Sequence, residues 1–448
     1  EAVAQGDGPF VEVVGMKLDR LVQLIRGEKN TTVRMRIIPA DALDPSARVV
    51  ISLVRDEIKL TDQEARAKIF TVPGKEGRGA KIGVLDLPSF YADMRGGADG
   101  KSATRDVERL IAALKKRGAD SLIIDLRRDG GGSLAEAVSL TGLFIPAGPV
   151  VQVKDARGTI KLLRDNDGET FYEGPLTVLT SRGSASASEI FAAAIQDYGR
   201  GLVVGEKSTF GKGTVQSVLE LNSYIPPAYR SYKPGALKLT IQKFYRVSGG
   251  STQHRGVIPD IHVPYYGDTS ESIESAQKKA LPYDEVEPAP YQRVSRIQEL
   301  LPALGKSFSA RISSSREFQW IKEDMSRWEK QKKDKTLSLN EKTRLTERKT
   351  EEERQLARKK ERSARKEKPF AFEDITLALL DGKPPAISSA TAASPAALIP
   401  EDEDSGYEHA PDAPDAVLDE TLRIAADLAA SVSEDAQAAR ANKPRATP

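Results

Sequence analysis

Five small residues, Ser184-Ala185-Ser186-Ala187-Ser188, run into Glu189 and an apolar stretch, and 26 residues after the middle serine Lys212 stands between Gly211 and Gly213. A serine at the mouth of an apolar helix and a lysine flanked by glycines are what a Ser-Lys nucleophilic dyad needs. A free serine hydroxyl attacks a carbonyl only if a neighbouring base takes its proton. Lysine is such a base only when neutral. From an ordinary value of about 10.4 its pKa must fall by roughly three units to work near pH 7, which at about 1.36 kcal/mol per unit asks about 4 kcal/mol of the environment. Burial can supply that, and lysine shifts far more readily than arginine. Gly211 and Gly213 let the backbone approach closely, and Phe210 offers an apolar wall.

Each piece alone also has a plainer reading. A Gly-Lys-Gly is commonly a surface turn with a solvated lysine, and Ala/Ser runs mark tight helix packing. A nucleotide-binding loop is a further candidate, since Gly205-Glu206-Lys207-Ser208-Thr209-Phe210-Gly211-Lys212-Gly213 approaches G-x-x-x-x-G-K-[ST]. It fails on spacing, with five residues between the glycines, and on Gly213, which stands where the Mg²⁺-binding hydroxyl belongs.

Taken in order along the chain, the segments Asp125-Leu126-Arg127-Arg128-Asp129-Gly130-Gly131-Gly132, Ser186-Ala187-Ser188-Glu189-Ile190-Phe191, Gln196-Asp197-Tyr198-Gly199-Arg200 and Phe210-Gly211-Lys212-Gly213-Thr214-Val215-Gln216 resemble the C-terminal processing peptidases of family S41, and more closely their tail-specific branch. The likeness continues through Ile241-Gln242-Lys243-Phe244-Tyr245-Arg246 and Gly256-Val257-Ile258-Pro259-Asp260-Ile261. It implies Ser186 as nucleophile and Lys212 as general base. Their separation is one residue longer than the family's, with the extra residue placed at Lys207-Ser208; Ser184 and Ser188 are the alternatives if it lies elsewhere. Gln216, four residues on, could fix the direction of the amine or be an ordinary strand residue. Glu189, Asp197 and Thr209 match supporting positions, Glu189 and Asp197 also fitting structural roles as a first-turn acid and as a late-helix cap or ion pair. The Gly131-Gly132 turn and Ala187 could present backbone N–H groups as an oxyanion hole, in which one donor is often worth about 3 kcal/mol.

Composition removes other mechanisms. There is no cysteine, which excludes thiol catalysis and disulfides, and the three histidines, His254, His262 and His409, show no metal-ligand spacing. Neither a metal nor a cofactor is expected. A triad through His254 or His262 is left open by the residues themselves. Lys+Arg 67 against Asp+Glu 65 gives no field for nucleic acid, and no apolar run approaches the roughly 18 residues of a membrane helix.

Three regions are expected to position the site. Residues 1–75 contain Val11-Glu12-Val13-Val14, a helix-period stretch Leu18, Leu21, Val22, Leu24, Ile25 and a strand over 32–38. This resembles the second half of a PDZ domain, and with Glu1 at the start instead of methionine the chain reads as an N-terminally truncated or mature remnant. Residues 76–265 alternate strands and helices: strand 81–87, a helix carrying Val107, Leu110, Ile111 and Leu114, strand 121–126, helix 134–144, strands near 149–153 and 175–180, helix 187–198 and strand 201–205. The resemblance implies an α/β protease core of ClpP/crotonase-like type, with catalytic residues at strand ends. Residues 266–448 are expected to be a mostly helical C-terminal domain. Within it, 315–368 reads as one solvated charged helix with Phe318, Trp320, Ile321, Met325 and Trp328 on a docking face, 383–415 as a linker and 416–430 as a closing helix.

The function this implies is a periplasmic serine endopeptidase acting on exported proteins chosen by apolar C-terminal tails, with room for an adaptor protein and for peripheral membrane association. A nonenzymatic PDZ-type peptide-binding scaffold is the alternative.

Overall fold

The computed structural model describes residues 1–39, 47–56, 64–73, 79–93, 100–226, 229, 234–265, 273–294, 297–334, 336, 338–365, 368–382 and 414–441. Two compact units follow one another, Glu1–Asp62 and Gln63–Pro448.

The first unit holds strands β1 (Ala2–Gln5), β2 (Val11–Glu12), β3 (Thr32–Ile37) and β4 (Val49–Val54) with helix α1 (Leu18–Ile25). The sheet order is β2-β1-β3-β4, and every pairing is antiparallel. The β1 to β3 register buries Ala2, Val3, Ala4 and Val33. The expected helix and the strand over 32–38 are both present.

The second unit is built on a seven-stranded sheet. Its elements in chain order are β5 (Arg66–Pro73), β6 (Gly79–Asp86), α2 (Ala103–Lys116), β7 (Ser121–Asp125), α3 (Leu134–Gly142), β8 (Gly148–Asp155), β9 (Ile160–Asp165), β10 (Leu176–Thr180), α4 (Ala187–Asp197), β11 (Leu202–Gly205), β12 (Thr214–Glu220), β13 (Ala236–Tyr245), β14 (Ile261–His262), α5 (Ile297–Ser314), α6 (Arg316–Lys333), α7 (Glu341–Arg365), β15 (Ala371–Thr376), α8 (Leu377–Leu380) and α9 (Ala416–Ala441). The main sheet runs β14-β11-β10-β7-β6-β5-β15, with β6, β7, β10, β11 and β14 parallel and β5 and β15 antiparallel at one end. A smaller antiparallel sheet, β12-β13-β8-β9, stands beside it.

The central strands are near-continuous apolar runs, as strands buried on both faces must be. One face packs Leu85, Leu122, Ile124 and Val178 under α2, α3 and α4; the other packs Val84, Ile123, Leu179 and Val204 with Phe308 of α5 and Leu422, Ile424, Ala425 and Leu428 of α9.

Two expectations about boundaries differ from this arrangement. A break at residue 75 would leave β5 outside the core, yet β5 pairs with β6 over its whole length and buries Ala67, Ile69, Phe70 and Val72, so the break in compactness comes at Asp62. The region after 266 does not stand apart, because β15 adds an edge strand along β5 and α9 covers a sheet face. The charged stretch 315–368 forms two helices, not one. Asn340 accepts the N–H of Thr343 at the start of α7, and α6 and α7 are joined by Asp324, which binds Arg358 at 2.6 Å and Arg354 at 3.2 Å. Phe318 and Trp320 are buried as the docking face predicts. Most of the proposed linker, 383–413, lies outside the described residues, and the closing helix is α9, whose first turn is capped by Asp415 at 2.9 Å from Leu418 N.

Candidate active site

Parallel pairing of β7 and β10 in register (Leu179 beside Asp125) makes the chain leave both strands side by side. The two exits are then stitched together. Leu126 N donates to Leu179 O at 2.8 Å, Ser184 Oγ to Leu126 O at 2.7 Å, and Ser181 Oγ to Arg127 O at 2.6 Å. Beyond them the Asp129 carbonyl accepts Ala185 N–H at 3.1 Å and the Ser188 hydroxyl at 2.7 Å. The hydroxyls of Ser184 and Ser188 are therefore buried and committed to carbonyls, which leaves Ser186 as the serine of the run placed at a helix entrance.

Ser186 precedes α4 with φ +58° and ψ −109°, a conformation that a residue with a Cβ rarely adopts. Such strain costs about 1–3 kcal/mol and persists only where the surroundings over-determine it. Here the surroundings are a glycine turn and a carboxylate. Gly131, at φ +108°, lies so close that a Cβ on it would come 2.8 Å from Ser186 Cβ, and one on Gly132, at φ +152°, would come 2.3 Å from Phe90 O. Glu189 reaches back from the first turn of α4 to accept the Ser186 N–H at 2.9 Å.

The base loop leaves β11, the strand next to β10. Gly211 N and Lys212 N donate to Glu189 at 2.7 and 3.0 Å, and Gly213 N to Gln253 Oε1 at 2.7 Å. Their carbonyls accept His254 N at 2.7 Å, Thr252 Oγ1 at 2.8 Å and Phe244 N at 2.9 Å respectively. Each residue of this Gly-Lys-Gly thus has both backbone groups paired, and its half-buried lysine is aimed by a fully satisfied loop. Lys212 Nζ donates to Gln216 Oε1 at 3.0 Å. Burial, with help from Lys238, holds the amine below its ordinary range against the pull of Glu274 and Glu189. A hydrogen bond from Ser186 Oγ to Lys212 Nζ is not formed in this structure; such contacts often close only when substrate is bound.

Glu189 is fully buried and gathers four donors: Thr209 Oγ1 at 2.6 Å, Gly211 N at 2.7 Å, Ser186 N at 2.9 Å and Lys212 N at 3.0 Å. Burial nevertheless pushes its carboxyl up to about 7. With the amides of residues 211 and 212 spent on a carboxylate, the loop has no cradle for phosphate, which agrees with rejecting the nucleotide-loop reading.

The other expected residues fall into two groups. Thr209 is in the site, bonded to Glu189 and accepting Val257 N–H at 2.7 Å. Asp197 is away from Lys212 and Ser186 contacts; it pairs with Arg246 at 2.6 Å and Ser248 at 3.1 Å, the ion pair foreseen as its structural role. Of the oxyanion candidates, Gly131 has its N–H turned to Asp129 Oδ1 at 2.8 Å, whereas among the described residues the amides of Gly132 and Ala187 donate to no protein acceptor. His262 Nδ1 lies 3.3 Å from Glu206 O, and His254 meets the site through its backbone. His409 lies outside the described residues. Among the described residues no cluster of His, Asp and Glu could hold a metal, and no helix is long and apolar enough to cross a membrane. Missing from the sequence motifs are Thr252 and Gln253; the signal available was a Ser251-Thr252-Gln253 run between glycines, polar yet largely buried.

Comparison with known proteins finds peptidases. Residues 81–263 match Peptidase family S41, and residues 268–430 match the C-terminal domain of tail specific protease. The chain is 42% identical over 376 residues to the tail-specific protease of Haemophilus influenzae, covering 83% of this chain and 51% of that one. It is 31% identical over 250 residues to a carboxyl-terminal-processing protease of Synechocystis, covering 56% and 52%. A solved photosystem II D1 C-terminal processing protease is 25% identical with a TM-score of 0.39, over 62% of this chain and 67% of that one. The chain spans about half the length of the curated relatives it matches. Residues 81–263 of this chain thus belong to Peptidase family S41, and they are followed by the C-terminal domain of tail specific protease.

Proposed function

We propose that the chain is a serine endopeptidase in which Ser186 is the nucleophile and Lys212 the general base. The observation that carries the reading is the shared carboxylate of Glu189, which holds the Ser186 and Lys212 backbones to one oxygen at 2.9 and 3.0 Å. In the reaction, neutral Lys212 takes the Ser186 proton as Oγ attacks the scissile carbonyl. The N–H groups of Gly132 and Ala187 receive the developing oxyanion. The lysine ammonium then protonates the departing amine; in the second half, neutral Lys212 takes a proton from the attacking water and returns it to Ser186 Oγ as the acyl–oxygen bond breaks and the acid leaves. Gln216 orients Nζ.

The substrates are exported proteins presented by apolar C-terminal tails, in the periplasm, with an adaptor and peripheral membrane attachment compatible with this role. Glu1–Asp62 is read as part of a PDZ domain and the core as ClpP/crotonase-like. The relatives' printed names support C-terminal processing.

Casein digestion tests the dyad. Ser186→Ala and Lys212→Ala should each abolish turnover in a folded protein, and the double variant should be no worse, because members of one unit are not additive. Full activity in Ser186→Ala, with loss in Ser184→Ala or Ser188→Ala, would overturn the assignment. Peptide binding with no turnover in the wild type would favour a scaffold.

A further inference from the structure

Asp129 sits in the turn between β7 and α3, fully buried, and no step of the proposed reaction uses its side chain. Its Oδ1 accepts Gly131 N–H at 2.8 Å, while Oδ2 is buried with no hydrogen-bond partner among the described residues. The charged groups around it are committed elsewhere. Asp86, at the end of β6, pairs with Arg128 at 2.7 Å. Arg127, on the same turn, is shared between Asp125 at 2.7 Å and Asp415 at 2.8 Å. Glu189 on α4 is spent on the donors of the base loop and on Ser186 N. No cation pairs with Oδ2, and Asp86 repels a negative charge there. A buried carboxylate in that setting costs far more than a neutral acid with one unpaired hydroxyl. Burial, opposed by the Gly131 N–H and the nearby Ser188 hydroxyl and reinforced by Asp86, pushes the carboxyl well above its ordinary range.

We propose that Asp129 is a positioning residue that works as a neutral acid: it locks Gly131 against the Ser186 turn, which sets the next amide, that of Gly132, for the oxyanion without placing a negative charge beside it. The proposal rests on the reading of Ser186 as nucleophile. The contact through which it acts is the 2.8 Å clearance between the Cβ position of Gly131 and Ser186 Cβ, together with the Ala185 and Ser188 bonds to the Asp129 carbonyl. A shift of the turn would be passed directly to the nucleophile.

Asp129→Asn keeps both the acceptor and the neutrality, and Asp129→Ala removes the acceptor. Two measurements on the full chain separate the possibilities. In thermal unfolding from pH 4 to 8, the folded acid keeps a proton that the unfolded chain loses above its ordinary value of 3.8, so wild type should lose stability relative to Asp129→Asn as pH rises. The gap in Tm should widen in favour of the Asn variant. In casein hydrolysis that Ser186→Ala abolishes, Asp129→Asn should keep kcat, and Asp129→Ala should lower it about tenfold or more with KM little changed. A Tm gap that stays constant with pH, or an Asn variant as damaged as the Ala variant, overturns the proposal. Full kcat in Asp129→Ala overturns the positioning role. Should hydrolysis persist in Ser186→Ala, the nucleophile reading fails while the Tm gap still decides the state of Asp129; should Asp129→Ala not fold, the Asn comparison decides alone.

Discussion

The backbone amides of Ser186 and Lys212 converge on a single oxygen, Oε2 of Glu189, at 2.9 and 3.0 Å, while its other oxygen takes Thr209 and Gly211. An amide in place of this carboxylate must turn its NH₂ toward backbone N–H groups whichever way it is flipped, toward Ser186 and Lys212 in one orientation and toward Gly211 in the other. Glu189→Gln should therefore lower stability by about 2–3 kcal/mol and, by letting nucleophile and base drift apart, lower kcat by about 10²-fold. Unfolding midpoints and casein kinetics check both. An unchanged kcat in a destabilised Glu189→Gln protein would confine Glu189 to a scaffold role.

Acid should silence the site in more than one way. Lys212 must be neutral and is held below its ordinary range, and Glu189, with its carboxyl pushed up to about 7, loses one acceptor when protonated. The acid limb of kcat/KM should therefore fall more steeply than a single proton allows. Stability moves the opposite way. Between 4.5 and about 7 the folded chain holds the Glu189 proton that the unfolded chain has released, so this group's contribution to stability falls as pH rises across that window. His262→Ala and His254→Asn, the latter chosen because His254 has φ +65°, should leave the pH profile in place; loss of activity in either folded variant would restore a histidine triad.

The backbone of Ser186 offers a test of strain. Ser186→Gly should abolish turnover yet raise stability by about 1 kcal/mol, since glycine adopts φ +58° without a Cβ clash. Ser186→Ala, which keeps a Cβ, should not. Equal unfolding midpoints for the two variants would show that the turn is relaxed.

Asp197 should behave as a structural residue. Asp197→Ala leaves a half-buried Arg246 without its carboxylate, at a cost of about 3 kcal/mol, while kcat per folded molecule should stay within about threefold of wild type. A specific fall in kcat with normal unfolding would move Asp197 into the site.

Much of the catalytic geometry was legible because it is local. The spacing from Ser186 to the helix, the Gly-Lys-Gly and Gln216 four residues on all sit within short segments whose chemistry shows in their residue types. The alternation of apolar strands with helices likewise gave β6, β7, β10 and β11 and the helices between them. What stayed hidden depends on contacts between distant segments. Gly131 and Gly132 read alike in sequence, and only the Asp129 side chain distinguishes their amides. Strand β15 carries exposed Phe372 and a charged pair, Glu373-Asp374, with Ile375 its one buried residue, too little alternation to announce a strand; it forms because β5 offers it a free edge. The break between α6 and α7 had a signal, the uncharged Thr336-Leu337-Ser338-Leu339-Asn340 run ending in a helix-start residue, which the dense charge on both sides overshadowed.

Two pieces of the core come from far along the chain. Strand β15 ends at Thr376 and α9 begins at Ala416, while the sheet face that α9 covers is made of strands complete by His262. A chain still on the ribosome would thus carry its Ser186 and Lys212 segments for more than a hundred residues before Leu422, Ile424 and Leu428 could close over Ile123 and Leu179. The second unit therefore cannot complete this face of its core until α9 has been made, about two hundred residues after Lys212.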